Sequence, residues 1–180
     1  MSGPRRVLLF LGVALLAGCV RVPPGLDPVT EFEAERYLGT WYEIARLDHR
    51  FERDLEAVSA TYGRADDGSI TVLNRGRDAR TGAWRSVEGR ARFVEDERTG
   101  YLKVSFFGPF YGAYVVFDLD ADYRHALVSG PNRDFLWLLA RSPRPDPATV
   151  ADLVARAEAA GFATETLIFV EHDAPGGEGQ

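Results

Sequence analysis

The amino-acid sequence predicts an all-β fold: an eight-stranded antiparallel up-and-down β-barrel, with a short N-terminal helix and a C-terminal α-helix packed outside it. Three observations carry that expectation. Eight short apolar, aromatic-rich runs lie between residues 41 and 141 and are separated by turn-forming clusters. Only one long segment, near the C-terminus, switches to helical periodicity. The chain has 180 residues, 46% of them hydrophobic, enough for one core and too few for two comfortable ones.

The elements follow in order. A short amphipathic helix is expected over Glu31–Leu38, stopped by Gly39. The strand-like runs are Trp41–Leu47, Ala57–Arg64, Ser69–Arg77, Ala83–Val94, Tyr101–Phe107, Ala113–Leu119, Tyr123–Ser129 and Phe135–Arg141. Asp66-Asp67-Gly68, Thr81-Gly82, Thr99-Gly100 and Gly130-Pro131-Asn132 supply turns between them. Alternation is clearest in the fourth run, where Val87, Gly89, Ala91 and Phe93 share one face and Glu88, Arg90 and Arg92 the other. Asp146 is placed to cap a helix with Pro147 in its first turn, Val150, Leu153, Val154 and Ala157 form its apolar stripe, and Gly161 ends it. A last short strand is expected at Thr166–Val170, and the Gly-rich tail, residues 173–180, is expected to be disordered. Closing eight strands removes sheet edges and leaves room for one small ligand. A two-sheet sandwich has the same strand count, but simple turns favour up-and-down order.

Composition narrows the function. A net charge of −6 argues against nucleic acid and against a polybasic membrane surface. The single cysteine, Cys19, excludes an intramolecular disulfide and a multi-cysteine zinc site. His49, His125 and His172 fall on unrelated elements, so no metal site is expected, and no cofactor is implied. No Gly-x-Ser-x-Gly elbow, His-Glu-x-x-His or Gly-rich phosphate loop points to an enzyme. Aspartates or Glu43 facing the cavity could in principle do acid–base work, but Glu43 reads more simply as a polar lining residue or ion-pair partner.

Arg5 and Arg6 precede an 11-residue apolar run, Val7–Ala17, too short to span a bilayer and suited to a signal peptide over residues 1–18. Leu16-Ala17-Gly18-Cys19 resembles the lipobox of bacterial lipoproteins. That resemblance implies cleavage after Gly18 and acylation of Cys19, several acyl chains being enough for stable anchoring. The mature chain would carry 19 basic and 27 acidic residues. Residues 19–30, with three prolines from Arg21 to Pro28, read as a lipidated, extended tether ahead of a barrel domain over 31–172.

Gly39-Thr40-Trp41-Tyr42 resembles the Gly-x-Trp signature of lipocalins. Ala121-Asp122-Tyr123 is similar to their second motif, with alanine for the usual threonine, and Arg141 matches the arginine of the third. The stretches Tyr37–Arg46, Val104–Gly112 and Tyr123–Val128 resemble more closely the bacterial outer-membrane lipocalins of the Blc type. Val20 after the cysteine then implies sorting to the outer membrane, with the barrel facing the periplasm.

Barrel topology brings Gly39, Trp41, Asp122, Tyr123 and Arg141 to one end, where Arg141 can lie across the Trp41 ring. This cluster reads as a structural plug, with a binding site at Trp41 as the alternative. The opposite end receives Asp48–Glu56, Asp78–Gly82, Gly108–Gly112 and Gly130–Asp134. His49, Arg50, Arg53 and Arg133 there are candidates for a lipid head group, or are solvated loop charges. The apolar loop Gly108–Gly112 rims the entrance, meets a membrane or a second subunit, or packs back on its own barrel, which leaves a homodimer open. Val104, Phe106, Tyr114, Val116, Trp137 and Leu139 are the candidate cavity lining. The expected partner is a lipid, a lysophospholipid or fatty acid, stored or transported in the cell envelope. The alternatives are another hydrophobic metabolite or pigment, and a structural envelope lipoprotein with a filled barrel.

Overall fold

The computed structural model describes residues 20–50 and 52–172. Cys19, the signal peptide expected over 1–18 and the tail over 173–180 lie outside the described residues. A single helical turn, α1 (Ala34–Tyr37), leads into eight strands: β1 (Gly39–Arg46), β2 (Leu55–Arg64), β3 (Ile70–Asp78), β4 (Trp84–Phe93), β5 (Tyr101–Ser105), β6 (Gly112–Leu119), β7 (His125–Ser129) and β8 (Leu136–Ala140). Each pairs antiparallel with its sequence neighbour, and β1 pairs with both β2 and β8, so the sheet closes on itself. That is the up-and-down barrel. Helix α2 (Pro147–Ala159) follows, with the Asp146 carboxylate accepting from Thr149 N at 2.9 Å as its N-cap.

Several boundaries differ from the sequence reading. The N-terminal helix is one turn rather than Glu31–Leu38. The seventh strand starts at His125 because Tyr123, at φ +57°, is still in the turn. The last strand shrinks to β9 (Ile168–Phe169), after a 3-10 turn at Thr164–Thr166. It pairs with Ala45 and Arg46, where β1 has parted from β2, whose last partner on β1 is Tyr42. The segment expected to be an extended tether lies against the barrel instead. Val20 and Val22 pack on the outward faces of Tyr101, Ala113 and Val115, and Pro23 and Leu26 are buried.

The core is divided by the barrel wall. Inside, Trp41, Tyr62, Val72, Ala91, Leu102, Val116, Val128 and Leu139 pack with Phe32 and Tyr37. Outside, Leu127, Leu136, Leu138 and Ala140 pack with Leu153 and Ala157 of α2 and with Phe162. Strands β7 and β8 are thus buried on both faces, which is why they read as unbroken apolar runs while β4 alternates.

Candidate ligand-binding site

One end of the barrel is plugged. The Arg141 guanidinium lies 4.0 Å from the centre of the fully buried Trp41 ring. It also donates to three carbonyls, those of Tyr123 (3.2 Å), Thr40 (2.9 Å) and Arg36 (2.8 Å). Gly39 makes this approach possible: its φ of +92° suits glycine, and a Cβ there would sit 3.3 Å from Arg141 Nη1. Tyr123 is buried, accepts from Glu33 N through its hydroxyl and carries Arg36 over its ring at 4.2 Å. Asp122 does not join this cluster. It is exposed and pairs with Arg124 (3.0 Å), while Asp120 gathers the turn by accepting from Arg124 N and His125 N. The sequence reading gave that place to the wrong aspartate, because a side chain accepting from two to five residues ahead is set by turn geometry that a motif match does not carry.

Behind the plug, Phe32 and Tyr37 enter the barrel from the α1 side. The Tyr114 hydroxyl is hydrogen-bonded to those of Tyr37 (2.7 Å) and Tyr62 (2.8 Å). Burial pushes all three phenols up from their ordinary value, so they stay protonated. A residual void of about 20 Å³ remains among Phe32, Tyr37, Tyr62, Phe93, Leu102, Val104 and Tyr114, apolar and no larger than a water site. This floor is nearly filled.

Above it, all six predicted lining residues come together in the inner cluster. Val116 and Leu139 are fully or nearly buried, whereas Val104, Phe106, Tyr114 and Trp137 are only partly buried although they face inward. Gly89 keeps the wall thin opposite Phe106, where a Cβ would come within 2.7 Å of the ring.

On the mouth side of this apolar surface sits a buried polar cluster. Between Glu43 and Ala45 the β1–β8 register shifts, so Glu43 opposes Leu139 and Arg46 opposes Trp137. This bulge puts both side chains inside the barrel, where strict alternation would send Arg46 outward. Arg46 donates to Glu43 Oε1 at 2.7 Å and to the carbonyls of Glu52 and Leu55. The loop after β1 folds back into the opening, with His49 Nε2 3.1 Å from Glu52 Oε2 and the His49 ring edge-on to Trp137. Trp137 Nε1 donates to the same carboxylate at 3.1 Å. Burial, and then the facing Glu52, push the Glu43 carboxyl well above the usual carboxylate range. Burial pushes Glu52 up as well, but His49 and Trp137 outweigh it and hold Glu52 below its ordinary value.

The predicted mouth arginines divide. Arg53 is exposed and paired with Asp48 at 2.7 Å, and Arg50 is exposed on the same loop. Arg133 is turned away from the lumen. It donates to Ala160 O (2.9 Å) and Pro24 O (2.8 Å), clamping the end of α2 and the N-terminal segment to the wall, so it leaves the set of head-group candidates. His49, read as a mouth-loop residue, does lie at the opening, whereas Phe32, Tyr37, Tyr62, Arg46 and Glu52 were missed by sequence reasoning. Among the described residues, no group of three or more His, Cys, Asp or Glu is arranged to hold a metal ion.

Residues 32–172 match the lipocalin-like domain family. The chain belongs to the lipocalins. It is 49% identical over 168 residues to the outer membrane lipoprotein Blc of Vibrio cholerae, covering 93% of this chain and 98% of that one. It is 51% identical over 149 residues to the outer membrane lipoprotein Blc of Escherichia coli K12, covering 83% and 84%. Among solved structures, insecticyanin from the tobacco hornworm superposes with a TM-score of 0.67 at 20% identity, covering 86% of this chain and 88% of that one, a likeness of fold. The bacterial relatives are named as outer membrane lipoproteins.

Proposed function

We propose that this lipocalin is an envelope lipid carrier, cleaved after Gly18, anchored to the outer membrane through acylated Cys19, with the barrel in the periplasm. It stores or transports one single-chain lipid, a lysophospholipid or fatty acid. The observation that carries the reading is the unfilled inner surface. Val104, Phe106, Tyr114 and Trp137 face the barrel interior yet remain partly accessible, next to an apolar floor with little free space. A filled structural barrel would bury them. The polar cluster of Glu43, Arg46, His49 and Glu52 lies toward the mouth, so the chain points to the floor and the head group to the loops.

Chain length tests this. Each buried methylene contributes ~0.8 kcal/mol, so shortening a lysophospholipid by four carbons removes about 3 kcal/mol, roughly a hundredfold in affinity. Trp137 fluorescence reports binding in delipidated protein, and Trp137→Phe should lose most of the signal while staying folded. The expected result is saturable binding of one lipid per barrel with that length dependence. A flat titration with lysophospholipids and fatty acids alike would move the reading to another hydrophobic metabolite.

A further inference from the structure

We infer that the barrel mouth docks on the bilayer surface through the β5–β6 loop, with Phe107 and Phe110 seated among the lipid head groups and the lumen opening toward the membrane. The inference goes beyond the carrier reading and rests on it only for the presence of an anchor.

Among the described residues, Phe107 and Phe110 are the two most exposed large hydrophobics, at 73% and 69%, and they share one loop. Trp84, 47% exposed, begins β4 at the same end of the barrel. Aromatic side chains left in water at a loop tip mark a contact surface, and the membrane interface is where they are favoured. The N-terminal segment points to the same place. Val20 packs on the outer face of the β5–β6 pair with Ala113. Ala113 is three residues from Phe110, at most about 11 Å of chain. Cys19 is the residue next to Val20. An anchor joining the wall there holds the aromatic loop near the bilayer at high effective concentration.

Charge fits the same occupant. The mouth loops and adjoining strand ends carry Arg50, Arg53, Arg77, Arg80, Arg85, Lys103 and Arg133 against Asp48, Glu52, Asp54, Glu56, Asp78 and Asp134, a near-neutral rim on a chain of net charge −6. That end is repelled least by an anionic leaflet. A second copy of the chain fits less well. Two phenylalanines on each of two copies expose together on the order of 600 Å², short of the roughly 1,200 Å² total of a specific interface.

The test uses the mature acylated protein in vesicles of phosphatidylethanolamine with a minor fraction of phosphatidylglycerol. Phe110→Cys, and separately Phe107→Cys, is labelled with an environment-sensitive fluorophore, with Ala121→Cys at the plugged end as the reference. The expected result is a blue-shifted emission quenched by brominated acyl chains at positions 107 and 110 and a water-like emission at 121. Water-like emission at all three positions overturns the inference. So does a blue shift without vesicles that grows with protein concentration, which would assign the patch to a second copy. Transfer of lysophospholipid from vesicles into Phe107→Ser/Phe110→Ser protein should slow about tenfold, with affinity in solution unchanged. If the carrier reading fails, transfer is absent for both proteins while the quenching at 110 persists.

Discussion

Arg141→Ala removes one guanidinium that makes four contacts at once. The contact over Trp41 at 4.0 Å is worth about 1 kcal/mol at a half-buried site. The three bonds to the carbonyls of Tyr123, Thr40 and Arg36 add roughly 0.5–1 kcal/mol each, since two of those carbonyl residues are exposed and regain water. Together they give a loss of about 3 kcal/mol. With a urea slope of about 2 kcal/mol per molar, the unfolding midpoint should fall by about 1.5 M. Arg141→Lys keeps the charge over the ring but cannot reach three carbonyls, so it should recover about 1 kcal/mol. Lipid affinity of the folded variants should change less than twofold, because the plug is separated from the lumen by the tyrosine floor. Lysine as good as arginine would refute the forked-donor account. An affinity loss at unchanged stability would place the ligand at Trp41 and reverse the two ends of the barrel.

Tyr114→Phe should cost more stability than Tyr62→Phe, about 2 against 1 kcal/mol in urea unfolding, because Tyr114 is the shared partner of two buried hydroxyls and its loss leaves both unpaired; equal costs would mean the triad is hydrated. Glu43→Gln should flatten the dependence of stability on pH. The folded-state pKa of Glu43 is raised, so its contribution is fully present below the ordinary carboxylate range and is lost as pH rises through the raised value, a loss glutamine cannot suffer. Unfolding midpoints followed across that interval would show instead a wild-type stability rising with pH, relative to the variant, if Glu43 is ionised in the fold.

What the sequence made legible was whatever depends on period and order. The alternation of β4, the turn clusters and the single helical stripe place the strands and α2 within a few residues. Parity along an up-and-down chain then assigns Trp41, Tyr123 and Arg141 to one end, as observed. What escaped depends on breaks in period or on distant packing. The register shift between Glu43 and Ala45 turns Arg46 inward, and no residue there advertises a bulge. Tyr37 belongs to a short helix whose destination is fixed only by Tyr62 and Tyr114, 25 and 77 residues away. Pairing of Ile168 and Phe169 with β1 depends on the gap left where β2 departs, which is a property of the closed sheet.

The division of the core explains how an incompletely filled barrel remains a stable fold. Inward residues that keep partial exposure forgo part of the burial that a packed interior would give, at about 25 cal/mol per Å². That shortfall includes Val104, Phe106, Tyr114 and Trp137, and also Phe93 and Ala60. It is offset on the other side of the same wall, where Ile44, Ala45, Leu127, Leu136, Leu138 and Ala140 are buried under α2 and the N-terminal segment. Arg133 ties those two coverings together by bonding Ala160 and Pro24. The wall formed by β7, β8 and β1 is therefore the rigid side, buried on both faces and joined to the plug through Arg141. The wall of β3 and β4 is solvated outside and thin at Gly89, and it adjoins β5, which continues into the aromatic loop. The β3–β4 side is thus buried on one face only, and separating it exposes less apolar surface than separating the β7–β8 wall.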